Sequence, residues 1–153
     1  MKILMVCLGN ICRSPLAEGI LARKAKDKGL DWVVDSAGTS GWHDGDPPDE
    51  RSIEVARLHD LDISQQKSRK IRSTDFDEFD LIYVMDDQNL QDVLRYCHTD
   101  EERNRVAKIM DVLPESSRTN VPDPYYGQYG FELVYNMLDE ACDKIIENAE
   151  TIE

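Results

Sequence analysis

The run Val6-Cys7-Leu8-Gly9-Asn10-Ile11-Cys12-Arg13-Ser14-Pro15 constrains this chain more than any other stretch. The residues leading into it, Ile3-Leu4-Met5-Val6, are continuously apolar and read as a buried strand. Those leaving it, Leu16 to Lys28, read as a helix closed by Gly29, with Ser14 expected at the N-cap and Pro15 at the first helical position. A loop between a strand end and a helix N-terminus aims free backbone N–H groups and a partial positive charge at one point, which suits an oxyanion such as phosphate. Gly9 and Asn10 are residue types that tolerate the left-handed backbone needed to turn several N–H groups inward. One glycine and no lysine distinguish the loop from the GxxxxGKS/T nucleotide loop.

Cys7 opens the loop and Arg13 closes it, with five residues between. A thiolate at a helix N-terminus beside a guanidinium is a nucleophile at neutral pH. Arg13 can grip two phosphoryl oxygens at once, and its charge does not titrate away. Ser14 can offer a hydroxyl to the sulfur. The plainer alternative is a buried Cys7 that merely ends a strand. Arg13 weighs against it, because an arginine at a helix start needs an anion and the loop contains no carboxylate.

The motif C-L-G-N-I-C-R-S-P resembles the signature of the low-molecular-weight protein-tyrosine phosphatases, and further matches follow along almost the whole chain. The resemblance implies Cys7 as nucleophile, Arg13 as phosphate clamp, and Leu8, Gly9, Asn10, Ile11, Cys12 and Ser14 as the phosphate-binding loop. It implies Ser36 bonded to Asn10 as support for that loop. It also implies that Cys12 is a resolving thiol, able to trap oxidised Cys7 as a disulfide; the alternative is a small filler. No metal and no cofactor are implied.

Asp31 to Ser36 reads as a second strand, so a βαβ unit and a parallel sheet are expected. The reactive loop then lies beyond the carboxyl end of its strand, where open α/β sheets place their ligands. Residues 49–60 read as a helix, Phe79 to Val84 as a third strand, and Asp86 as the cap of a helix through Leu94. Val106 to Met110 reads as a fourth, edge strand, and Phe131 to Ile146 as a long closing helix. The expected fold is a single-domain α/β open parallel sheet of about four strands with helices on both faces, the resemblance implying the low-molecular-weight phosphatase, flavodoxin-like type over residues 1–153.

The glycine- and proline-rich segment from Ala37 to Pro48 reads as a surface loop. Trp42 within it is either a cover for a core edge or an aromatic wall for a substrate ring; the resemblance favours the wall. Where many family members carry a histidine, this chain has Gln66, which can support the loop by hydrogen bonding but cannot change charge. His59 reads as a partly buried helix residue and not as a base.

Val121-Pro122-Asp123-Pro124-Tyr125-Tyr126 is the second informative stretch. Two prolines stiffen a turn that presents Asp123. Such a turn is often bare surface, but rigid display of one carboxyl is also what a general acid requires. D-P-Y-Y matches the family's acid loop, which implies Asp123 as general acid and base, with Tyr125 and Tyr126 walling the pocket mouth.

The 153 residues carry a formal charge of −13. That argues against nucleic acid and anionic membrane surfaces as partners. Phosphate must then be drawn by a local field, to which Lys67, Arg69, Lys70 and Arg72 could contribute. No apolar stretch approaches the roughly twenty residues of a membrane span. The start lacks the pattern of a signal peptide, so a cytoplasmic location is expected. The four cysteines, Cys7, Cys12, Cys97 and Cys142, match no zinc spacing. A tyrosine-phosphorylated protein, such as a bacterial tyrosine kinase, is the partner that the resemblance implies. Rival readings are an arsenate reductase of the same fold, which needs a further cysteine pair; a phosphocysteine carrier without hydrolysis, which needs neither Arg13 nor Asp123; and a non-catalytic phosphotyrosine reader.

Overall fold

A computed structural model describes residues 1–125 and 130–152. Four parallel strands form one sheet in the order β2-β1-β3-β4. They are β1 (Lys2–Cys7), β2 (Val33–Gly38), β3 (Leu81–Val84) and β4 (Val106–Lys108). The helices are α1 (Arg13–Asp27), α2 (Glu50–Leu58), α3 (Asp75–Glu78), α4 (Asp87–Leu94), α5 (Asp100–Asn104) and α6 (Phe131–Ile152). β1 is central, and its run of apolar residues is buried on both faces, as a parallel strand covered by helices requires. Ile3, Met5 and Cys7 face the core beneath α1, α2 and α6. Leu4 and Val6 face a second core with Ile82, Val84, Phe76 and Val93. The pleat thus sends Cys7 to the α1 side at the carboxyl end of the sheet.

Several boundaries differ from the sequence expectation. The N-cap position of α1 is Cys12, so Arg13 and Ser14 are already helical and Pro15 is the third residue. Proline is still harmless there, because the first-turn N–H groups have no partner within the helix. β2 begins two residues late and runs on to Gly38, which pairs with Cys7 and so carries the sheet up to the reactive loop. β4 stops at Lys108, and Ile109 to Val112 form a 3-10 turn. β4 is the edge strand, paired only with β3 among the described residues. α6 extends past Ile146, and the short helices α3 and α5 carry too few apolar residues to show a period. No described helix is long and apolar enough to cross a membrane.

Candidate active site

The loop from Cys7 to Arg13 is anchored through its carbonyls. The carbonyl of Cys7 accepts from the Thr39 N–H at 2.9 Å, and that of Leu8 from the Ser40 N–H at 2.9 Å. The Gly9 carbonyl accepts from Ser68 Oγ, Ile11 from the Asp49 N–H, and Cys12 from Ser52 Oγ. Among the described residues, no protein acceptor takes the N–H groups of residues 8–13. Outward carbonyls and uncommitted N–H groups make an anion nest. Asn10 alone supplies the left-handed turn, with φ 57°. Gly9 does not adopt positive φ; its smallness serves instead, since a Cβ there would lie 3.2 Å from the His43 ring. Gly38 is equally constrained: a Cβ would come within 2.9 Å of the Leu8 carbonyl oxygen.

Asn10 is the keystone of a buried network. Its Nδ2 donates to Ser14 Oγ at 2.8 Å and to Ser36 Oγ at 3.0 Å, and its Oδ1 accepts from the Arg69 N–H. Because the Ser14 hydroxyl accepts there, its own proton is free for Cys7 Sγ, 3.0 Å away. Ser36 Oγ donates to Glu18 Oε1 at 2.7 Å. Burial pushes the Glu18 carboxyl up to about 7, and the Ser36 hydrogen bond only partly opposes it. Gln66 acts one step from the loop: its Nε2 donates to the Pro15 carbonyl in α1, while its Oε1 is buried without a partner.

Arg13 is buried, and a carboxylate from outside the loop meets part of its charge. Its Nη1 donates to Asp86 Oδ2 at 2.6 Å and to the Val121 carbonyl at 3.0 Å. Asp86 caps α4, accepting from the Asn89 N–H, and clamps Arg13 with its other oxygen. Burial alone would lower the Arg13 pKa, but Cys7, Asp86 and Asp123 together raise it. One end of the fork is therefore spent on the protein, and among the described residues no acceptor is hydrogen-bonded to the Nε–Nη2 side. Asp123 Oδ2 lies 3.6 Å from Nη2. Within the basic cluster, Arg69 is spent on Asp35 and Asp75.

One cavity is lined by Cys7, Leu8, Gly9, Ile11, Cys12, Arg13, Trp42, His43, Asp123 and Tyr125. It joins the amino-terminal loop to the distant proline-bracketed turn. Trp42 is 75% exposed, so it walls the mouth and covers no core. Tyr125 is also exposed, and its N–H donates to Asp123 Oδ1 at 3.0 Å. Tyr126 lies outside the described residues. Burial, with Asp49 and Cys7 adding to it, pushes the Cys12 thiol well above its ordinary value. His59 is remote, stacked on Tyr135 and bonded to Glu132. Sequence reasoning missed His43 and Glu18 as site neighbours and gave Asp86 only its capping role.

The family model described as low molecular weight phosphotyrosine protein phosphatase matches residues 2–152. A low molecular weight protein-tyrosine-phosphatase relative from Synechocystis sp. is 42% identical over 95% of this chain and 94% of its own. The crystal structure of YfkJ from Bacillus subtilis superposes with a TM-score of 0.94 at 34% identity, covering 100% of this chain and 96% of that one. A protein tyrosine phosphatase from Entamoeba histolytica, with Hepes in its active site, gives 0.92 at 37% identity over 99% and 97% of the two chains. With the match running nearly end to end, this chain belongs to the low molecular weight phosphotyrosine protein phosphatase family.

Proposed function

We propose that the chain, as one phosphatase unit over residues 1–153, hydrolyses phosphotyrosine in proteins through a cysteinyl-phosphate intermediate. The observation that carries this reading is the single cavity shared by Cys7, Arg13 and Asp123. The Cys7 thiolate attacks phosphorus in line. The S–P bond forms as the P–O bond to the tyrosine breaks, and Asp123 gives its proton to the departing oxygen. Loop N–H groups and the free side of Arg13 hold the three equatorial oxygens. In the second half, water attacks the same phosphorus and loses a proton to the Asp123 carboxylate. The S–P bond breaks, phosphate leaves, and the Ser14 hydroxyl meets the sulfur as it regains its charge.

Arg13 and the N–H groups carry the transition-state charge, so the reaction needs no metal. Leu8 and Ile11 supply an apolar floor, and Trp42 and Tyr125 the walls for a phenyl ring. A phosphoserine is too short to reach Cys7 between them. The reaction belongs in the cytoplasm, whose reducing conditions keep Cys7 a thiol; a bacterial tyrosine kinase is one class of partner. Arsenate reductase is disfavoured because Cys97 and Cys142 lie in the two cores on opposite faces of the sheet, far from forming a relay pair. A carrier or a reader has no use for Asp123 beside Arg13.

Cys12 is the resolving thiol that protects oxidised Cys7. Mass mapping tests both thiols in one experiment. Acid-quenched turnover of p-nitrophenyl phosphate should leave one phosphoryl group on Cys7, and mild peroxide should leave a reducible Cys7–Cys12 bond. Phosphate on no cysteine would refute the covalent route. Sulfinic acid on Cys7 without the disulfide would refute the role of Cys12.

A further inference from the structure

Arg51, in the first turn of α2, is tied down more firmly than an exposed arginine usually is. Its Nε and Nη2 donate to Asp49 Oδ1 and Oδ2, both at 3.0 Å, and its backbone N–H donates to Oδ1 at 2.8 Å. Those hydrogen bonds hold the Asp49 carboxyl below its ordinary value. Asp49 is itself fixed to the phosphate loop, since its N–H donates to the Ile11 carbonyl at 2.8 Å. With one edge of the guanidinium committed, its faces remain. The guanidinium carbon lies 5.2 Å from the centre of the Tyr125 ring and 4.7 Å from that of Phe131.

Tyr125 leads on to Asp123, because its N–H donates to Asp123 Oδ1, and Asp123 Oδ2 faces Arg13. The contacts therefore close a circuit that leaves the phosphate loop at Ile11 and returns to it at Arg13. Only a planar cation can offer a forked edge to a carboxylate and a face to an aromatic ring together; a lysine could do one or the other.

We infer that Arg51 is a positioning residue for proton transfer: through Tyr125 it holds the Asp123 turn at a set distance from the loop that carries Cys7. Arg51 touches no substrate atom and acts on the leaving-group side of the reaction alone. This rests on Asp123 being the general acid, and the test separates the two.

The test compares kcat/KM for p-nitrophenyl phosphate, whose leaving group needs little protonation, with phenyl phosphate, whose leaving group needs much. Arg51→Gln should lower the phenyl phosphate value about fivefold and the p-nitrophenyl value less than about twofold. Arg51→Lys should fall between Arg51→Gln and the parent. In an Asp123→Ala background, Arg51→Gln should change neither substrate further. The melting temperature of Arg51→Gln should stay within about 2 °C, since an exposed pair adds little stability. An equal loss on both substrates, a further loss in the Asp123→Ala background, or no loss on phenyl phosphate would overturn the inference. If Asp123→Ala alone treats both substrates alike, the acid reading fails and Arg51 has no proton transfer to position.

Discussion

The phosphate loop and the Asp123 turn face each other across one cavity, yet they are held in opposite ways. The loop is tied through five carbonyls and a saturated asparagine, and nearly everything behind it is buried. The turn is fixed at its stem, where the Val121 N–H meets the Met85 carbonyl and the Val121 carbonyl meets Arg13. Beyond that stem come two prolines, a half-buried carboxyl and an exposed tyrosine, steadied by the exposed Arg51 side chain against the Tyr125 ring. The difference follows from the chemistry. Stabilising an oxyanion demands dipoles that do not reorganise during reaction. In the proposed reaction Asp123 exchanges its 3.6 Å contact with Arg13 for one with the leaving oxygen, a small movement that a turn steadied from the surface allows.

The sharpest way to break this comparison is at Asn10. Asn10→Ala deletes three hydrogen bonds, two of them fully buried, and leaves a Cβ residue at φ 57°. It should cost about 3 kcal/mol of stability in a denaturant titration. It should also cost at least about tenfold in kcat on every aryl phosphate alike, because the loop serves both bond-breaking steps. A loss confined to poor leaving groups would mean that the loop and the turn are not separate devices.

A smaller effect is expected behind the loop, at Glu18. The unfolded chain releases this proton near 4.5 and the folded chain near 7, so between those values the folded state holds more protons. Stability therefore falls as pH rises through that window and is level above it. Glu18→Gln keeps an acceptor for Ser36 and removes the charge. It should be about 2 kcal/mol more stable than the parent at pH 8, allowing for water at the carboxyl rim, and equal to it at pH 4. Denaturant melts at the two pH values decide; an advantage that does not depend on pH would show that Glu18 folds in the charged form.

Much of the site was legible because it is local. Cys7, Arg13 and Ser14 lie on one strand–loop–helix, and Asp123 announces itself between prolines. The fold was legible where apolar runs and helical periods are long, as in β1, α1 and α6. What stayed hidden depends on pairing across the sheet. Asp86 already had a sufficient role as a cap, and nothing near it in sequence points to Arg13, 73 residues away. Glu18 looked like one more charge on an amphipathic helix; only the register of β2, which puts Ser36 beneath Asn10, makes it part of the network. Gly38 matters because the end of β2 runs against the Leu8 carbonyl, a contact without local sequence signature. Cys12 at the cap position shows the limit of preference rules: the loop's carbonyl anchors, and not a side-chain cap, start α1.

The most direct measurement is the leaving-group dependence of the Asp123→Ala enzyme. Across a series from p-nitrophenyl to phenyl phosphate, its kcat/KM should fall progressively further below the parent, reaching a loss of about a hundredfold or more on phenyl phosphate. A parent and variant that run parallel across the series would contradict the assignment of Asp123 as the proton donor facing Cys7.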